Sequence, residues 1–353
     1  MYYAHYGLDQ PPFRITPDPA LFFPGGNRGA VLEALLYAIK SGEGIVKVVG
    51  EVGSGKTMLC RMLERELPDG CEIIYLANPS LAPAEVLHAV AFELKLPVSS
   101  DTPRLQVMHL LQQYLLEKHG DGRQVIVFIE EAQGMPEETL EELRLLSNLE
   151  TSREKLLQLV LFGQPELDDK LNQHRIRQLK ERITFSFALT PLTRAEVREY
   201  LNARLYASGY RGGELFSGAA VAAIHRYSRG LLRRVNILAD KALLAAFAEH
   251  ARSVGGGHVR RAAADSDYVH SGRWMTLAVV ATVVLLTAVG LMVFKRNNQE
   301  VIPMESASPT VGAAPAPGAS LAPDALEPGA AQSAETNRQE PVEAGNNSNI
   351  INN

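Results

Sequence analysis

The stretch "IVKVVGEVGSGKTMLCRMLEREL" (45–67) decides how the chain is read. A short apolar run, "IVKVV" (45–49), leads into "GEVGSGKT" (50–57), and "MLCRMLEREL" (58–67) follows. The order is buried strand, glycine-rich turn, helix. Gly50, Gly55, Lys56 and Thr57 satisfy the spacing G-x-x-x-x-G-K-[ST]. Glycines there let backbone N–H groups curl around phosphate oxygens. Lys56 places a point charge on the β- and γ-phosphates, and Thr57 offers a hydroxyl to Mg2+. The helix N-terminus adds favourable partial charge. Gly50, Glu51, Val52, Gly53, Ser54, Gly55, Lys56, Thr57 and Met58 are therefore the expected ATP-binding segment. A chance glycine turn would lack the strand before it and the helix after it.

Four more β-rich apolar runs follow: "CEIIYLA" (71–77), "QVIVFIE" (124–130), "LLQLVLFG" (156–163) and "ITFSFAL" (183–189). Amphipathic helical stretches separate them, the pattern of a parallel sheet covered by helices. From Thr193 to about Asp265 the pattern is helical only. "TRAEVREYLNARLYAS" (193–208) opens on a capping-type Thr, and "LLRRVNILADKALLAAFAEH" (231–250) has apolar residues at helical spacing. The expected fold is α/β over 1–190 with a small α-helical domain over 191–268.

Trp274 to Phe294 carries no charge, and at about 1.5 Å per residue such a helix spans roughly 30 Å, a bilayer's hydrocarbon thickness. Trp274 at one end and Lys295 with Arg296 at the other suit the two interfaces. The expectation is one transmembrane helix over 274–294. Positive charge flanks both ends, so orientation rests on the ATP loop, which belongs on the cytosolic side. Residues 295–353, rich in Ala, Pro, Gly, Ser and finally Asn, cannot bury enough apolar surface to offset ordering entropy, and are expected to be a disordered tail across the membrane. The N-terminus has no apolar signal core. The formal charge of -5 gives no basic field for nucleic acid, and Cys60 and Cys71 make neither a metal pattern nor a disulfide framework.

Further chemistry is carried by two strand ends and two arginine clusters. "VIVFIEEAQ" (125–133) ends a buried strand in two acids. Glu130 is placed to hold the water shell of Mg2+, and Glu131 to polarise the attacking water. Glu130 stands where Asp is usual, and the extra methylene extends the carboxylate by about 1.5 Å, which bears on hydrolysis more than on binding. "LVLFGQPEL" (159–167) offers Gln164 to orient the lytic water; a turn amide satisfied before Pro165 is the plainer alternative. "HRIRQLKERITF" (174–185) carries Arg175, Arg177, Lys180 and Arg182, either a solvated basic face or a donor to a neighbouring subunit's γ-phosphate. "YSRGLLRRVN" (227–236) puts Arg233 and Arg234 at a helix start, either as phosphate contacts or as surface charge.

Together these residues resemble an AAA+ ATPase, and in particular the general secretion pathway protein A group, with the ATPases of mannose-sensitive haemagglutinin pilus biogenesis and of exosortase and exopolysaccharide loci. "YGLDQPPFRITPDPALFF" (6–23) is similar to that group's N-terminal signature, and "GEVGSGKT", "EEAQ", "GQPEL" and "RQLKERI…LTPLTRAEVREYLNARLYASG" follow in the group's order. The likeness spans about residues 2–265. It implies Lys56 and Thr57 as the Walker A pair, Glu130 and Glu131 as the Walker B pair, Gln164 as first sensor, Arg182 as the trans-acting finger and Arg233 as the lid-side second sensor. It also implies a homo-oligomer working with envelope assembly components at the bacterial inner membrane. Three departures stand out: Glu130 for Asp, "GLLR" (230–233) without the group's proline, and no peptidoglycan-binding domain after the span. The last moves the expectation toward shorter pilus or polysaccharide-locus members. A nucleotide switch with little turnover and a DNA-associated transposition helper are the alternatives. The span and the acidic charge speak against the second.

Overall fold

The computed structural model describes residues 2–42, 44–266, 268 and 282–292. The five apolar runs form five strands: β1 (Ile45–Gly50), β2 (Cys71–Leu76), β3 (Gln124–Ile129), β4 (Leu157–Gly163) and β5 (Ile183–Leu189). They pair in the order β2-β3-β4-β1-β5, every pair parallel. The register sets Val49 of β1 beside Gly163 of β4, so the phosphate loop and the turn carrying Gln164 leave the same end of the sheet.

Helices cover both faces. In chain order they are α1 (Tyr3–Tyr6), α2 (Arg28–Lys40), α3 (Lys56–Glu66), α4 (Pro83–Glu93), α5 (Arg104–Gly120), α6 (Glu137–Leu146), α7 (Glu166–Leu171), α8 (Arg177–Glu181), α9 (Arg194–Ala207), α10 (Gly218–Ser228), α11 (Leu232–Ala248) and α12 (Gly256–Ala264). Residues of β3 alternate between two cores, as the period of a strand requires. Val125, Val127 and Ile129 join the cluster under α4 to α8, whereas Ile126 and Phe128 join the one under α2 and α3. Both faces being buried explains the unbroken apolar runs at 125–129 in β3 and 159–162 in β4.

The helices α9 to α12 enclose a third cluster, with Leu201, Ile224, Leu238 and Val259 fully buried. Tyr2, Tyr6, Leu8 and Phe13 belong to this cluster, although sequence order places them ahead of the sheet. The Tyr2 hydroxyl donates to Asp240, and the Tyr6 hydroxyl donates to the Ala251 carbonyl at 3.0 Å. The start of the chain is thus a part of the helical lid. Long-range aromatic packing is the reason, and no local pattern encodes it.

Of the 274–294 stretch, residues 282–292 are described, helical and exposed. Among the described residues no helix is long and apolar enough to cross a membrane. The rest of that stretch and the 295–353 tail lie outside the described residues.

Candidate nucleotide-binding site

The site lies at the C-terminal end of the sheet, between phosphate loop, lid and N-terminal segment, and within one compact unit, Met1–Leu286. Gly53 has φ +79, and a Cβ there would stand 2.5 Å from Cβ of Arg233, so only glycine fits. The Arg233 N–H donates to the Gly53 carbonyl at 3.1 Å, which ties the start of α11 to the loop. Lys56 is buried, and its ammonium donates to the carbonyls of Gly50 at 2.7 Å and Glu51 at 3.3 Å. Burial lowers its pKa, against the opposing pull of Glu131 and Glu51.

Thr57 donates its hydroxyl to Glu130 Oε2 at 3.1 Å. Among the described residues no group of three or more His, Cys, Asp or Glu is placed to hold a metal. The Thr57–Glu130 pair suits Mg2+, which keeps most of its waters and takes its other ligands from phosphate. The longer Glu130 side chain therefore still reaches the threonine that the motif assigns to the ion.

Glu131 sits in the left-handed region at φ 52, a strained place for a glutamate. Its Oε2 accepts the amides of Gln133 at 2.6 Å and Gln164 at 2.8 Å. Burial pushes its carboxyl up, but the two amides and the Lys56 charge outweigh burial and hold it below the usual carboxylate range. Gln133 also accepts the Gln164 backbone N–H at 3.0 Å, and the Lys170 ammonium binds the carbonyls of Gln133 and Met135 at 2.7 and 2.5 Å.

A cavity of about 420 Å³ opens beside Lys56, Thr57 and Glu131. Arg233 lines it; Gln164 and Arg182 do not. Gln164 stays joined to it through Glu131. Arg182 stands at the end of α8, just before β5, and donates to Ser147 Oγ at 3.3 Å. That is the opposite end of the sheet, one strand length or about 20 Å away, so Arg182 has no part in its own chain's pocket.

Four features escaped the sequence reading. Gln133 is one. Arg28 is another: only 2% exposed, it donates to the carbonyls of Ser54 at 3.1 Å and Thr190 at 2.8 Å and leaves Nε and Nη1 without partners. Burial lowers its pKa. Residues 14–17 wall the cavity from the N-terminal side, and Tyr200, Arg204 and Asn236 wall it from the lid. The "EEAQ" quartet did contain Gln133, but the contacts of the others cross long stretches of chain.

A family model described as an AAA domain matches residues 39–171. General secretion pathway protein A of Aeromonas hydrophila is 38% identical over 292 residues, which is 82% of this chain and 53% of that protein. The chain therefore spans about half the length of that relative. Among solved structures, the Aeropyrum pernix ORC2 protein matches with a TM-score of 0.53 at 18% identity, over 75% of this chain and 74% of that one. Cdc6p from Pyrobaculum aerophilum matches with a TM-score of 0.55 at 18% identity, over 69% and 70%. At that identity these two establish a common fold.

Proposed function

Since the chain is an AAA+ ATPase related to general secretion pathway protein A, we propose that it hydrolyses ATP with Mg2+ as a homo-oligomer, to support assembly of a bacterial envelope system for secretion, pili or exopolysaccharide. In this reading 274–294 anchors it in the inner membrane, with the ATPase cytosolic and the tail periplasmic. The observation that carries the chemistry is the contact of Gln164 with Glu131 beside Lys56 and Thr57.

Lys56 trades its loop carbonyls for β- and γ-phosphate oxygens. Thr57 and Glu130 are the residues that would hold Mg2+, which would supply neutralisation of phosphate charge. Glu131 receives the proton of the attacking water, and Gln164 orients that water. Arg233 meets phosphate from the lid, and Arg182 meets the γ-phosphate of a neighbouring copy.

The test is ATP turnover by the full chain over a range of protein concentrations, beside Lys56→Ala and Glu131→Gln. Turnover that rises with concentration, and falls at least about 100-fold in both variants, is the expected result. Tight ATP binding without turnover, with activity restored by Glu130→Asp, would instead establish a nucleotide switch. The Glu130 side chain is the feature that keeps this second reading in view.

A further inference from the structure

The N-terminal signature "YGLDQPPFRITPDPALFF" (6–23) has no role in the chemistry above. It leaves the lid cluster at Phe13, lines the cavity wall over residues 14–17, packs Phe22 beside α2 and α3, and sets Phe23 back against Tyr200 of the lid. Residues 14–17 form neither helix nor strand, and the carbonyls at both ends of the segment, of Arg14 and Pro17, accept side-chain donors. Arg204 of α9 donates from Nε to the Pro12 carbonyl at 2.6 Å and from Nη2 to the Arg14 carbonyl at 3.3 Å. Asn236 of α11 donates to the same Arg14 carbonyl at 3.4 Å, and its own Oδ1 accepts the Tyr200 hydroxyl at 2.7 Å. From the other side, Arg61 of α3 donates to the Pro17 carbonyl at 2.6 Å. The helix that begins at the phosphate loop and the two lid helices therefore hold one short irregular segment from opposite ends.

We propose that residues 14–17 are a retaining strap for the bound nucleotide, and that Arg204 and Arg61 are positioning residues that set how fast nucleotide leaves. This rests on the nucleotide-binding reading above. Arg204 is 4% exposed, so its charged donors act with little competition from water. Cutting either anchor lets the wall swing outward without removing any group assigned to phosphate.

The experiment follows release of a fluorescent ATP analogue from the full chain after excess ATP is added. Arg61→Met is the primary variant, because Arg61 lies at the surface and its loss leaves the core untouched. Arg204→Met and Asn236→Ala cut the lid anchor, and Arg65→Met, on α3 with Arg61 and in an ion pair with Glu66, is the control. Release about ten-fold faster in Arg61→Met and Arg204→Met, with an unchanged association rate and wild-type release in Arg65→Met, is expected. Unchanged release in Arg61→Met overturns the strap. A proportional fall in association overturns it too, since that marks general damage to the pocket. If the wild-type chain and Lys56→Ala both fail to take up the analogue, the nucleotide-binding reading fails, and the strap with it.

Discussion

Gln133 donates its amide to the carboxylate oxygen of Glu131 that also takes the Gln164 amide, and accepts the Gln164 N–H in return. The three side chains are one hydrogen-bonded unit. Groups that act as a unit are not additive when removed. Gln133→Ala should lower kcat about ten-fold and leave the ATP Kd within about two-fold. The Gln133→Ala, Gln164→Ala double variant should fall little below the worse single one. Independent, multiplying losses in steady-state kinetics would mean that Gln133 merely fills space. The acids and the phosphate-loop residues were readable in the sequence because their spacing is local: eight consecutive positions for the loop, adjacent ones for Glu130 and Glu131. Arg28 was not, since its partners Ser54 and Thr190 lie 26 and 162 positions away.

At the scale of elements, the strands were legible because burial on both faces leaves unbroken apolar runs, as in "VIVF" and "LVLF". β5 reads differently. It is an edge strand, and Thr184 and Ser186 are exposed while Phe185 and Phe187 are partly buried. Thr193 was equally legible: its side chain accepts the Glu196 N–H and Glu196 returns the bond, which completes a capping box on α9. The strand order was not legible, because β1 inserts between β4 and β5 through contacts far apart in sequence. The joint between sheet and lid also depends on tertiary fit. Gly230 has φ +73, its carbonyl accepts the Leu192 N–H at 2.9 Å, and a Cβ there would collide with the Leu192 backbone. Gly230→Ala should cost at least about 2 kcal/mol, measurable as a lower midpoint in urea unfolding. An unchanged midpoint would show that the joint yields freely.

For the whole molecule, the position of Arg182 sets how copies would meet in the proposed oligomer. Because it stands at the far end of the sheet from its own pocket, any phosphate it touches belongs to another copy. Arg182→Ala and Lys56→Ala should each be inactive alone, and mixing them should restore part of the turnover, because some pairings join an intact pocket to an intact arginine. Failure of the mixture, with both variants still assembling, would remove Arg182 from the chemistry. The lid carries a different consequence, for the birth of the protein. Its core joins Tyr2 to Asp240, 238 positions apart, with the entire sheet between them. On the ribosome Tyr2 emerges well before Asp240 and finds its partner only when α11 has been made. At the usual pace of synthesis that delay is on the order of ten seconds or more. Meanwhile β5 ends at Leu189, so the sheet has all its strands before the lid exists. A newborn chain thus acquires its phosphate loop before it owns the lid helices whose Arg204 and Asn236 hold the wall in place.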